Sequence, residues 1–180
     1  LQDKGIDPKL LVSDRCHVIM PYHIELDSAL SGHQAELAAG STGRGIAPVY
    51  ADKMFRNGIR MIDLLEHDIF KQKLDKGYSF AKGIMEGALN KKIEIPLDVI
   101  FKKYSEYGSR LKKYIADTSV ELYNAYSNGK SILFEGAQGI SLDVDHGIYP
   151  YTTSSNTAAG HISTGTGVSF REIHRVIGVV

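Results

Sequence analysis

The chain has 180 residues, 43% hydrophobic and 23% charged, with 21 basic side chains against 21 acidic ones. That is enough material for one buried core, and a formal charge of zero excludes any bulk attraction to nucleic acid or an anionic membrane surface. The single cysteine, Cys16, excludes an internal disulfide framework and suits a reducing compartment, expected to be the cytoplasm, while no apolar run approaches the ~20 residues of a membrane span.

Leu1-Gln2-Asp3-Lys4 has neither an initiator methionine nor a signal-peptide pattern, so the sequence reads as the middle of something longer. Leu10–Ser13 and Cys16–Met20 have the composition of short strands. Pro21 sits where a helix can begin, and Tyr22 to Leu30 follows with helical spacing. Residues 47–65 suggest a helix that Asn57-Gly58 can split in two. Phe70, Leu74, Phe80, Ile84 and Met85 suggest another. After Pro96, the residues Ile100, Tyr104, Tyr107, Leu111, Tyr114 and Leu122 recur at three- and four-residue steps, the mark of one amphipathic helix closed by Asn128-Gly129. Composition then shifts: residues 131–180 carry only six charged side chains and seven of the 18 glycines. Ser131-Ile132-Leu133-Phe134 is expected to be a buried strand, Glu135–Gly139 the turn after it, and Val176–Val180 a further strand. The order points to an α/β fold, with a mostly helical subregion at 1–130 and a sheet-and-loop region at 131–180. In such sheets the ligand lies beyond the carboxyl ends of the strands, where the 135–139 turn falls.

Five clusters could carry chemistry. Ser41-Thr42-Gly43-Arg44-Gly45 offers hydroxyls, close-approaching backbone amides and a guanidinium to a phosphate, or is a flexible surface loop. Lys53, Arg56 and Arg60, at i, i+3 and i+7, form one cationic face if the helix is continuous; a break at Gly58 removes Arg60 from it. Gln138, between two glycines, can donate to and accept from a purine edge or oxyanion, or simply tie down a neighbouring loop. Asp143-Val144-Asp145-His146 has metal-ligand chemistry but no further ligand nearby, so loop-holding hydrogen bonds are the favoured role and no metal site is assigned. Tyr149 to Thr157 supplies five serine and threonine hydroxyls and an amide before Ala158-Ala159, suiting the anion-binding start of a helix. His17, His23, His33, His67, His161 and His174 are scattered and read as surface or core residues.

The segments STGRGIAPVYADK, FEGAQG and LDVDHGIYPYTTSSNTAAG, in this order, resemble adenylosuccinate synthetase, and the resemblance covers essentially the whole sequence. It implies the central part of a single P-loop NTPase-like α/β domain, with a mostly parallel central sheet and a large helical excursion. The implied activity is GTP-dependent ligation of L-aspartate to inosine monophosphate (IMP), giving adenylosuccinate through a 6-phosphoryl intermediate, with Mg2+ as cofactor. By motif, Thr42 and Thr153 resemble contacts to the IMP phosphate, and Gln138 the glutamine that faces the purine O6 and assists catalysis. Arg56 resembles the arginine that reaches the neighbouring site of a homodimer, where the stripe could also meet Asp143 or Asp145. The family's phosphate loop with its catalytic aspartate, the following histidine, the aspartate-binding arginine loop and the guanine-reading Thr-Lys-x-Asp segment do not occur here. Ala47 and His161 replace usual glycines. The sequence alone is therefore expected to be inactive, and a non-catalytic phosphate-binding module derived from the fold is the alternative.

Overall fold

The computed structural model describes residues 4–6, 9–34 and 41–178. Val179 and Val180, the end of the expected last strand, and the side chain of His33 lie outside the described residues. The architecture is α/β, with a small parallel sheet and many helices. Strand β1 (Val12–Ser13) pairs in parallel with β2 (Ile115–Ala116), in the register Val12 to Ile115 and Ser13 to Ala116. Helices α1 (Pro21–Gln34), α2 (Ile46–Phe55), α3 (His67–Gly87) and α4 (Leu97–Leu111) lie between the two strands in sequence, and α5 (Thr118–Ser127) and α6 (His161–Thr166) follow.

Local chemistry explains these limits. Pro21 opens α1 because its missing N–H would be unsatisfied in a first turn anyway. Helix α2 stops at Phe55 because Arg56 takes a left-handed conformation (φ 63°) and the Asp52 carbonyl accepts the N–H groups of Asn57 and Gly58. Past the break, Arg60 leaves the Lys53–Arg56 face. It forms an antiparallel bridge with His17, and its N–H is donated to Asp63 Oδ2 at 2.7 Å. Of the strand expected over Cys16–Met20, only that bridge is present.

The helix expected from Pro96 to Asn128 is two. After Leu111 the chain makes a 3₁₀ turn, Lys112–Tyr114, contributes β2, and restarts at Asp117, whose carboxylate accepts from the Ser119 and Val120 amides as an N-cap. Pairing of Ile115 and Ala116 with β1 satisfies backbone groups that a continuous helix would use internally. The apolar period runs through the break, although α4 buries Ile100 and Gly108 while α5 has no buried residue.

The core is built from Met20, Tyr22, Ile59, Met61, Leu64, Phe70, Leu74, Ala81 and Ile100, joining α1, the Met61–Leu65 turn, α3 and α4. Helix α4 comes in close because Gly108 has no side chain: a Cβ there would lie 2.5 Å from the Leu64 carbonyl oxygen. Residues 131–178 are different. They contain no strand, and the sequence reading of 131–134 as a buried strand is corrected: Leu133 is 84% exposed. Val176 and Ile177 are likewise exposed and unpaired. An apolar strand needs a neighbour to take its N–H and C=O groups and to cover its faces, and none of the described residues supplies one. Asp143 is the one buried residue between 131 and 178.

Candidate functional site

The Ser41–Gly45 loop is held from below by α1. Asp27, buried on that helix, accepts the Ser41 hydroxyl on Oδ1 (2.8 Å) and the Gly45 N–H on Oδ2 (2.9 Å). Ser41 Oγ in turn accepts the Gly43 N–H at 3.1 Å. Gly45 caps α2 at φ 78° and passes so near α1 that a Cβ would sit 3.0 Å from the His23 carbonyl carbon, His23 Cβ and the Ile24 nitrogen. Between these pinned ends, Thr42 and Arg44 are exposed. The loop thus has a fixed inner side and leaves a hydroxyl and a guanidinium facing out.

Below it lies a second buried tie. His23 Nδ1 accepts the Met20 N–H (2.9 Å), so the ring proton sits on Nε2 and is donated to Asp52 Oδ2 at 2.9 Å. Both residues are buried, and the pair locks α1 to α2. It therefore sets the direction in which α2 presents its C-terminal end. There Lys53 lies over the Tyr50 ring, 5.5 Å from its centroid, and Arg56 is exposed with no ion pair among the described residues. Farther along, His17 packs against Gly58; burial lowers its pKa, aided by the charges of Arg60 and Lys53.

The 138–158 loop is organised around Asp143. Its Oδ1 accepts the amides of Asp145 (3.0 Å) and His146 (3.1 Å), and its Oδ2 those of Thr157 and Ala158. Burial works to raise the Asp143 pKa, but the four amide donors outweigh it and hold the carboxyl well below the usual range. Asn156 bridges Asp143 and Asp145, and Thr157 Oγ1 donates to the Gly139 carbonyl. Asp143 is thus saturated by its own loop, which removes it as an intersubunit partner for Arg56; Asp145 stays exposed. The loop-holding role foreseen for this cluster is the one Asp143 has. The Thr153 N–H pairs with the Leu142 carbonyl (2.9 Å), while its half-buried hydroxyl makes no hydrogen bond among the described residues. Gln138 is exposed at φ 62°, and Tyr149-Pro150 is cis.

No hydrogen bond, ion pair or ring contact among the described residues joins the 41–45 loop to the 135–157 loop. Two surface cavities, of about 260 and 270 Å³, lie elsewhere. The first is apolar, between α1, α2 and α3; the second adjoins Tyr107 and Arg110; neither is lined by Thr42, Arg56, Gln138 or Thr153. Among the described residues no group of three or more His, Cys, Asp or Glu is placed to hold a metal ion, and no helix is long and apolar enough to cross a membrane. Sequence reasoning missed Asp27, His23 and Asp52. The one available signal was polar residues on the inner face of α1, with His23 and Asp27 four apart.

The fold and loops define a class: an α/β chain in which two loops rich in glycine and hydroxyl groups are each fixed by a buried aspartate and expose further donors. A family model described as adenylosuccinate synthetase matches residues 1–180, so the chain belongs to the adenylosuccinate synthetase family. It is similar to the adenylosuccinate synthetases of Geobacter sulfurreducens (49% identical over 182 residues) and Streptococcus gordonii (46% over 180), each alignment covering 99% of this chain and 42% of the relative. A solved structure of fully ligated adenylosuccinate synthetase from Plasmodium falciparum superposes with a TM-score of 0.84 at 28% identity, covering 93% of this chain and 40% of that one. The chain thus spans about two fifths of the length of the relatives it matches.

Proposed function

We propose that this chain is the IMP-binding central part of a single-domain, GTP-dependent ligase that joins L-aspartate to IMP, acting as a cytoplasmic homodimer. In the first step the purine gives up its N1 proton to a base outside this segment as O6 attacks the γ-phosphorus of GTP; the bond to the β-phosphate oxygen breaks and GDP leaves. In the second, the aspartate amino group attacks C6, the C6–O bond breaks, phosphate departs, and the amine loses a proton. Little covalent work falls to the protein, so positioning and charge placement carry the catalysis. Thr42 and Thr153 donate to the IMP phosphate, Arg56 reaches that phosphate from the neighbouring subunit, and the Gln138 amide faces O6 and the phosphoryl group it acquires.

The observation that carries this reading is the Ser41–Gly45 loop, whose internal hydrogen bonds are complete and whose Thr42 and Arg44 are left exposed. Membership of the adenylosuccinate synthetase family supports IMP as the anion. Magnesium, which would neutralise charge during transfer, does not fit the described residues: Asp143 is filled by amide donors, and no group of three or more His, Cys, Asp or Glu among them is placed to hold a metal ion. Most of its ligands, and the GTP site, are assigned to the remainder of the enzyme.

The test is product formation by the full-length protein carrying this segment, given IMP, GTP and aspartate and assayed by mass spectrometry. Adenylosuccinate should form only when all three are present. Thr42→Ala and Thr153→Ala should each weaken IMP binding by about 1–2 kcal/mol, the loss of a donor to a charged group, with GTP affected less. Weakened GTP binding with unchanged IMP binding would put these residues in the wrong half of the site.

A further inference from the structure

We infer that Asp27 is the positioning residue of the Ser41–Gly45 loop and decides which of its donors a phosphate can meet; this rests on the proposal that the loop binds IMP. Asp27 is only 3% exposed, and among the described residues no lysine, arginine or histidine lies within salt-bridge distance of it. A buried carboxylate without a counter-ion is costly unless hydrogen bonds satisfy it. Here both bonds come from one pentapeptide, and they come from its two ends: Ser41 on Oδ1 and Gly45 on Oδ2. A neutral hydroxyl could cap a turn at less cost. The carboxylate differs in being an acceptor on both oxygens, so it holds two donors four residues apart at once.

This fixes proton direction as well as position. With the Ser41 proton committed to Asp27, Ser41 Oγ offers a lone pair to the Gly43 N–H. Three donors (the Ser41 hydroxyl and the Gly43 and Gly45 amides) are thereby spent inside the loop. An incoming anion meets the Thr42 hydroxyl and backbone amide and the Arg44 amide and guanidinium instead. The hold is doubled one turn earlier on α1, where His23 backs Gly45 and ties to Asp52 of α2. Neither end of the loop can swing without breaking a bond to the buried Asp27.

The experiment measures IMP and GTP binding by calorimetry, with kcat and KM, for full-length Asp27→Ala, Asp27→Asn, Thr42→Ala and the Asp27→Asn/Thr42→Ala double variant. Asp27→Ala should weaken IMP about tenfold or more, comparable to losing a hydrogen bond to a charged group. Asp27→Asn should lose only about threefold, because its carbonyl can keep Gly45 and its amide can donate to Ser41 Oγ. Since the phosphate is remote from the reacting atoms, KM for IMP should rise while kcat at saturation stays within about twofold. In the Thr42→Ala background the Asn loss should shrink, as expected of residues acting through one contact. If Asp27→Ala does not fold, the Asn variant and its double carry the test. Unchanged IMP binding in the Asp27 variants beside a weakened Thr42→Ala overturns this inference alone, as do equal losses for GTP and IMP or fully independent losses in the double. A Thr42→Ala protein that binds IMP normally while Asp27→Ala does not refutes the Thr42 assignment above and leaves the positioning role standing.

Discussion

Replacing Gly45 with alanine is the sharpest perturbation of the candidate site, because Gly43 provides an internal control two residues away. Both glycines have positive φ, 65° at Gly43 and 78° at Gly45, so a side chain at either costs about 1–2 kcal/mol of left-handed strain. They differ in surroundings. A Cβ at Gly43 meets nothing within 4 Å, whereas one at Gly45 lies 3.0 Å from three atoms of the His23–Ile24 segment, two of them backbone. Backbone in the first turns of α1 cannot move aside without disturbing the Met20–His23–Asp52 chain of hydrogen bonds. Overpacking of that kind adds about 1–3 kcal/mol, so Gly45→Ala should lose about 2–5 kcal/mol in total. Urea unfolding of the full-length protein, compared at constant m, reads both values. Equal losses for the two variants would show that conformational strain is the whole effect and that the close approach of loop to helix is absent.

Gly108→Ala should lose about 1–3 kcal/mol, because its Cβ would press on the Leu64 carbonyl; Gly83→Ala, in open space on α3, should instead gain up to about 1 kcal/mol from helix propensity, and melting curves distinguish them. For Asp143, whose carboxyl titrates below its unfolded value, the stabilising contribution is present above the ordinary aspartate pKa of about 3.9 and is lost as pH falls below it. Hydrogen-exchange protection of the Thr157 and Ala158 amides should therefore be constant from neutral pH down to about 4 and decline below that, and Asp143→Asn should abolish the dependence. Arg56→Asn, which keeps a residue tolerant of the left-handed conformation, should weaken IMP binding and reduce IMP-promoted dimerisation of the full-length enzyme; a variant sedimenting like the parent with and without IMP would defeat the shared-site assignment.

The helical part of this fold was legible because its signals are local. Pro21 at a helix start, Asn57-Gly58 at a stop and the apolar spacing of Phe70, Leu74, Ile84 and Met85 act within a turn or two of chain. The break after Leu111 escaped because the apolar spacing runs on through Tyr114 to Leu122 and does not record where the backbone leaves the helix. The overlooked sign was Asp117 followed by Thr118-Ser119, an N-cap in mid-pattern, reinforced in the fold by Arg15, whose guanidinium holds both Asp117 oxygens at 2.8 and 2.9 Å. Asp27 and Asp52 were invisible for a different reason. A carboxylate on a helix reads as a solvated face until its donors are known, and those donors come from 14 and 18 residues away for Asp27 and from 29 away for Asp52.

Ser131–Phe134 shows the opposite limit. Its composition asks for burial, yet Leu133 is almost fully exposed, because composition states a demand and only partner strands can meet it. The chain spans 42% of the length of its Geobacter relative, and none of the described residues covers Leu133, Val176 and Ile177. The same reasoning bears on Gln138 and Arg56. Only three non-glycine residues among those described have positive φ: Arg56, Asn90 and Gln138. Asparagine tolerates that conformation and Arg56 adopts it to end α2, whereas no helix ends at Gln138. Strain of this sort persists where a side chain must point in a direction that relaxed backbone would not give it. Gln138→Gly should therefore relax the 138–158 loop by about 1 kcal/mol while abolishing the step in which O6 becomes phosphorylated. Gln138→Ala should lose the same step with no gain in stability. Pre-steady-state phosphoryl transfer and thermal unfolding, measured on both variants of the full-length enzyme, separate the two effects. If Gln138→Gly turns over like the parent, the left-handed glutamine is a feature of the turn alone and the assignment to O6 falls.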